Sequence, residues 1–355
     1  MLKRGVALLA TLLVSLAVVT AATAKQTAPA KASGETLVGA GATFPFPLIS
    51  KWIPAYEQAT GTRITYSPIG SGGGIAAITA RTVDFGASDA PLTQDQFNAA
   101  VRDGSGVVQI PWALSATSVM YNVPGAPPGL KLTGKVIADI YLGKITNWND
   151  AGIKKLNPSA SLPDLKITPV FRSDGSGTTY NFTDYLSAVS PEFKSKVGTS
   201  TQVNWPAGVG ARGSSGVSGV LTRTDGAIGY ADVAYALANH IRFARVQNKA
   251  GKFQLPGLRA IQSAAATIDK VPATNEMHIV DPPKSQALAY PICTFTYVLL
   301  PTRTAKAKEL RRFVFWALTQ GQKPELTAKL LFVPVPKPVL VSAEKTLKQV
   351  KEPSS

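Results

Sequence analysis

An α/β fold is expected from three features of the chain. Short apolar runs with strand character alternate with segments of helical spacing. Gly-, Ser- and Thr-rich junctions join them at GAGATF (39–44), GSGGG (70–74) and SDGSGT (173–178). Two longer apolar runs, 107–123 and 289–300, read as strands, and their length suits crossings between two domains. Strand, glycine loop and helix in repeated alternation predict layered α/β structure.

Residues 36–38 read as a strand, and residues 45–59 carry Leu48, Ile49, Trp52, Ile53 and Tyr56 at helical spacing. Pro45 and Pro47 suit a first turn, and Gly61 ends the helix. A strand at 63–67, a helix at 74–80 and a strand at 83–87 follow. The runs 107–111 and 115–123 read as strands separated by a small break. Helices are expected at 135–141, 151–156, 178–188, 233–239 and 306–319, and strands at 167–171, 227–230 and 289–300. Residues 264–268 read as helical. Pro334, Pro336 and Pro338 exclude a helix at the start of the tail that opens at Val333.

The chain has 355 residues, long for one domain and comfortable for two. Residues 1–24 read as a signal peptide, with Lys3 and Arg4 before an apolar run and Ala22-Thr23-Ala24 as the cleavage site. The mature protein is expected to be soluble and exported, with 25–35 as a linker. The only cysteine, Cys293, excludes an internal disulfide and reads as a buried, inert thiol. The formal charge of +16 falls to +14 without Lys3 and Arg4. The basic residues are scattered, with one dense cluster at 306–312, so a basic surface is favoured over a nucleic-acid site.

Helix N-termini expose unpaired N–H groups at the positive end of the helix dipole and attract small anions. An ordinary cap explains any one of the three loops; together they point to a bound oxyanion. Thr43, Ser71, Ser176 and Thr178 add hydroxyl donors. Arg172 offers a bidentate guanidinium that Asp174 can hold. Asp89 closes VDFGASD (83–89). A carboxylate beside an anion repels it unless that anion carries a proton, as phosphate does near neutral pH and sulfate does not. Taken alone, Asp89 also reads as a cap for a helix near 91–96.

Metal chemistry is poorly supplied, because His240 and His278 stand far apart in unlike contexts. No G-x-S-x-G elbow occurs, and GLKLTGKV (129–136) fails as a P-loop with Val136 at the magnesium position. No cofactor is expected and no catalytic residue stands out.

The stretches GAGATFPFP (39–47), IGSGGG (69–74), VDFGASDAPL (83–92), DIYLGKITNWND (139–150), RSDGSGTTYNFTDYL (172–186) and GAIGY (226–230) resemble the periplasmic phosphate-binding proteins of ABC-type phosphate importers. The resemblance implies a two-domain venus-flytrap fold of type II, with domain I at 36–113 and 291–355, domain II inserted at 114–290, and phosphate in the cleft between them. It implies that Thr43 and Phe44 donate backbone N–H groups, that Ser71 donates from backbone and side chain, and that Asp89 accepts the phosphate proton. Arg172, steadied by Asp174, binds oxygen, and Ser176, Gly177 and Thr178 complete the cage. Gly72 stands where many members carry a second Ser, but the implied ligand hydroxyl falls on Ser71. A monomeric periplasmic receptor follows, with inorganic phosphate and permease subunits of the inner membrane as partners, no nucleic acid, and no catalysis. Alternatives are a receptor for arsenate or another tetrahedral oxyanion, a secreted phosphatase, and an adhesion protein using its basic face.

Overall fold

The computed structural model describes residues 35–353. The expected signal peptide and all of the expected linker but Glu35 lie outside them. The first third of the chain forms β1 (Thr36–Gly41), α1 (Phe46–Thr60), β2 (Arg63–Ser67), α2 (Ser71–Thr79), β3 (Phe85–Ser88), α3 (Gln94–Ala99) and β4 (Val107–Asn122). The middle adds β5 (Lys131–Leu132), α4 (Gly134–Tyr141), α5 (Ala151–Leu156), β6 (Thr168–Arg172), α6 (Gly177–Val189), α7 (Pro191–Lys196), β7 (Val209–Ala211), α8 (Gly213–Arg223), β8 (Ala227–Asp232) and α9 (Val233–Ala238). Then come β9 (Arg242–Phe243), β10 (Arg245–Gln247), β11 (Phe253–Gln254), α10 (Leu258–Ala265), β12 (Cys293–Pro301), α11 (Ala307–Leu318), α12 (Pro324–Thr327) and α13 (Lys337–Leu347).

A nine-stranded sheet runs in the order β2-β1-β3-β12-β4-β8-β6-β7, with β9 also paired to β4. A small sheet orders β11-β10-β5. The large sheet is mixed: β1 lies parallel to β2 and β3, β6 lies parallel to β7 and β8, and the antiparallel β12 and β4 stand between the two groups. Strand β4 serves both groups. Its residues Val107–Ala116 pair with β12, and Thr117–Asn122 pair with β8.

The expected break in this run is absent. Pro111 sits where the register with β12 shifts between Thr296 and Tyr297, so its missing N–H falls at a bulge and the strand continues. The bulge turns Trp112 into an aromatic core, with Trp52 at 5.1 Å, Phe313 at 6.1 Å and Phe85 at 6.2 Å between ring centroids. A second aromatic cluster lies on the β8 side, where Phe182 stacks on Tyr230 at 4.2 Å and Tyr141 meets Phe182 at 5.1 Å. Phe182 comes from α6, so this cluster fixes the helix that follows the third glycine loop.

One further expectation is corrected. The tail is helical from Lys337, because Pro336 is the N-cap and Pro338 occupies the first turn, where no intrahelical N–H bond is lost. Helix α8 forms in a Gly- and Ser-rich stretch, held by burial of Val217, Ser218 and Leu221. Cys293 is buried, and burial pushes its thiol up, as its apolar setting predicts.

Candidate functional site

The three glycine loops converge. Helix α2 begins inside the second loop, at Ser71, and α6 begins at Gly177. Gly74 brings α2 against the sheet: a Cβ there would lie 2.5 Å from Gly41 Cα and 2.6 Å from the Ala87 carbonyl. The second and third loops meet directly, with the Gly72 N–H donating to the Gly175 carbonyl at 2.9 Å. A side chain at Gly72 would begin 3.1 Å from Gly175 Cα, so its small size serves this contact.

Ser71 is almost wholly buried. Its Oγ accepts from the Gly177 N–H at 3.0 Å and from the Asp89 N–H at 3.2 Å. Both acceptor positions are thus filled, and the hydroxyl is left with its hydrogen to donate. Thr178 donates to Asp89 Oδ2 at 3.5 Å, while Asp89 Oδ1 is buried without a partner among the described residues. Burial pushes the Asp89 carboxyl up to about 7, against the opposing effects of Thr296, Arg172, Thr178 and Ser71. Asp89 does not cap the next helix; Thr93 caps α3, in a capping box with Gln96.

Arg172 ends β6 with its side chain 1% exposed. Its Nε donates to Asp174 Oδ1 at 2.7 Å and its Nη2 to Oδ2 at 2.5 Å. This fork leaves Nη1 unengaged by Asp174. Burial alone would raise the Asp174 carboxyl, but the bond and charge of Arg172 and the Gly213 amide hold it below its usual range. The Arg172 backbone N–H donates to Tyr230 Oη at 3.2 Å.

Thr43 lies in the turn before α1 and is 4% exposed. Phe44 beside it is fully buried, edge-on to Phe332 at 6.2 Å. Ser176 takes a local role, because its hydroxyl accepts from the Thr179 N–H and caps α6. These bonds join Ser71, Asp89, Gly177 and Thr178; Asp174 braces Arg172, and the start of α8 ties Asp174 to Thr43 through the amides of Gly213 and Ser214.

Four participants are absent from the sequence-based set. Asn181 Nδ2 donates to the Asp89 carbonyl at 3.0 Å and to the Gly177 carbonyl at 2.8 Å, tying α6 to the end of β3. Its place four residues after Gly177 is the only local signal for it. Ser214 and Tyr235 both bond Thr43. Asp232 is fully buried and pushed well up, first by burial and further by the charge of Asp89. Nothing about these three in the sequence separates them from ordinary helix and strand residues. Among the described residues no group of His, Cys, Asp and Glu is placed to hold a metal ion, and no helix is long and apolar enough to cross a membrane.

Comparison with known proteins bears on the fold and the family. A family described as "PBP superfamily domain" matches residues 23–320. The phosphate-binding protein PstS of Xylella fastidiosa is 43% identical over 317 residues, covering 88% of this chain and 84% of its own. The protein of the same name from Pasteurella multocida is 40% identical over 311 residues, covering 86% and 88%. The crystal structure of a DING protein superposes with a TM-score of 0.70 at 21% identity, covering 87% of this chain and 93% of that one. A phosphate binding protein from Stenotrophomonas maltophilia gives 0.65 at 20% identity over the same shares. The structures speak for the periplasmic binding protein fold, and the sequences carry the family: the chain belongs to the PBP superfamily and, within it, to the phosphate-binding proteins named PstS.

Proposed function

We propose that this protein is an extracytoplasmic receptor that captures inorganic phosphate in a cleft and delivers it to the permease of an ABC importer. The observation that carries the reading is Asp89. A buried carboxyl oxygen with no partner among the described residues sits among hydroxyl, amide and guanidinium donors from Ser71, Gly177, Thr178 and Arg172. Donors alone suit any oxyanion; one acceptor among them suits an anion that still holds a proton. Thr43, Phe44, Ser71, Asp89, Arg172, Ser176, Gly177 and Thr178 form the proposed cage, with Asp174 in support. The names of the curated relatives describe binding proteins, and the protein acts here as a receptor without chemistry of its own.

The proposed halves are 36–113 with 291–355, and 114–290. Strand β4 supports this division, since it changes partner from β12 to β8 between Ala116 and Thr117. Export with cleavage after about Ala24 and a monomeric state complete the reading.

Calorimetric titration of the purified protein with phosphate, sulfate and arsenate at several pH values tests it. Phosphate is expected to bind with one site per chain and sulfate to be rejected at pH 8. Equal binding of sulfate at that pH, or no binding of phosphate, overturns it. Arsenate carries protons as phosphate does, so its titration measures how far size alone separates the two.

A further inference from the structure

We infer that Ser214 is a positioning residue for anion capture: it fills both acceptor positions of the Thr43 hydroxyl and leaves that hydroxyl only as a donor to the ligand. The inference rests on the phosphate-receptor reading and deepens it.

A threonine hydroxyl has two acceptor positions and one hydrogen. The Ser214 N–H donates to Thr43 Oγ1 at 3.2 Å, and the two hydroxyl oxygens lie 2.8 Å apart. Either hydroxyl could donate across that shorter contact, and the proposed cage decides between them, because a bound anion offers the Thr43 hydrogen an acceptor. Ser214 is 0% exposed, and Thr43 is the partner of its hydroxyl among the described residues. A buried hydroxyl hydrogen needs an acceptor, so Ser214 donates. Thr43 then holds two incoming hydrogen bonds, and its own hydrogen is left for the ligand.

Ser71 has the same arrangement, with the amides of Gly177 and Asp89 in both acceptor positions. In Ser71 two backbone groups set the direction; in Thr43 a single residue of another helix does so. Tyr235 Oη completes the hold on Thr43 by donating to its backbone carbonyl at 2.6 Å.

Helix α8 is committed to this task. Its N-cap, Arg212, makes no side-chain capping bond. Its first amides go instead to the binding residues, Gly213 N–H to Asp174 Oδ1 at 2.9 Å and Ser214 N–H to Thr43 Oγ1. Thr43 precedes α1 and Ser214 begins α8, on opposite sides of the switch of partner in β4, so the bond also links the two proposed halves.

Phosphate titration of wild type, Ser214→Ala, Ser214→Thr, Thr43→Val and the Ser214→Ala/Thr43→Val double variant tests the inference. Ser214→Ala is expected to lower phosphate affinity about five- to tenfold, the scale of one net buried hydrogen bond. Ser214→Thr, which keeps the hydroxyl, is expected to recover most of that loss. In the Thr43→Val background Ser214→Ala is expected to add no further loss, because the hydroxyl it orients is gone. A merely structural Ser214 would lower Tm without that coupling. Wild-type affinity in Ser214→Ala, or additive losses in the double variant, overturns the inference and leaves the receptor reading standing. A wild type that does not bind phosphate overturns the receptor reading and the inference with it. If Ser214→Ala does not fold, Ser214→Cys, whose thiol is a weak donor, carries the same comparison with a smaller loss.

Discussion

The amide of Gly177 donates to Ser71 Oγ at 3.0 Å, joining the start of α6 to the start of α2. The contact depends on the missing side chain: a Cβ on Gly177 would lie 2.6 Å from Asp89 Cβ and from the Ala90 nitrogen. Both obstacles are close to or within the backbone and cannot swing aside. Gly177→Ala is expected to weaken phosphate binding by on the order of ten- to a hundredfold through about 1–3 kcal/mol of overpacking. Calorimetry checks the affinity and circular dichroism checks the fold. Wild-type affinity in a folded variant would show that the two helix starts need not meet.

Sulfate discrimination should depend on pH. With the Asp89 carboxyl pushed up to about 7 by burial, it is ionised at pH 8 and protonated at pH 5. A protonated carboxyl becomes a donor, and the objection to an anion without a proton disappears. Sulfate affinity is therefore expected to rise as pH falls through 7. Asp89→Asn, which offers an amide donor, is expected to admit sulfate across the whole range. Sulfate rejection by Asp89→Asn as strict as that of wild type would remove Asp89 from the choice of ligand.

The same residue makes the unliganded protein lose stability as pH rises from acid toward neutral. The folded-state pKa of Asp89, about 7, exceeds its usual 3.8, so the folded chain holds this proton more tightly than the unfolded chain. Stability then declines as pH rises from about 4 to about 7, and the loss is complete above that. At pH 8 Asp89→Asn is expected to melt a few degrees above wild type, with the gap closing toward pH 4. Asp232, raised in the same direction, keeps part of the slope in the variant. Differential scanning calorimetry without ligand at pH 4 and pH 8 makes the comparison. A variant that melts at or below wild type at pH 8 would count against the burial cost assigned to Asp89.

Helix α13 is expected to be structural. It buries Val339, Ala343 and Leu347, with Val350 just beyond, and Asn275 donates to Thr346 Oγ1 at 2.8 Å. Removing residues 337–355 exposes the faces these side chains cover, at a cost of roughly 5 kcal/mol. Tm is expected to fall by on the order of 10 °C. An unchanged Tm would make the tail an appendage.

The sequence disclosed the parts of the site that speak through local composition. Glycine loops that must approach closely, and a carboxylate and an arginine beside them, stand out in one dimension. Ser214, Tyr235 and Asn181 do not, because each acts through a partner 92 or more residues away, as in Asn181 to Asp89 and Ser214 to Thr43. Fold elements show the same division. Helix α1 and strand β2 were legible from spacing and from a glycine stop. The proline rule misled at Pro338, because a proline's effect depends on whether its nitrogen faces a first turn or a regular hydrogen-bonded position. Helix α8 was hidden by its Gly and Ser content, since packing against β8 outweighs low helix propensity.

Strand β4 changes its strand partner between Ala116, paired to β12, and Thr117, paired to β8, while the Thr117 N–H still donates to the Ile292 carbonyl just before β12 at 2.8 Å. A joint built this way has no slack. Opening of the proposed halves would flex a hydrogen-bonded ribbon instead of swinging on a tether, as a leaf spring bends. The amides around Thr117 lie at that change of partner, and their exchange with solvent is where such flexing would leave its trace.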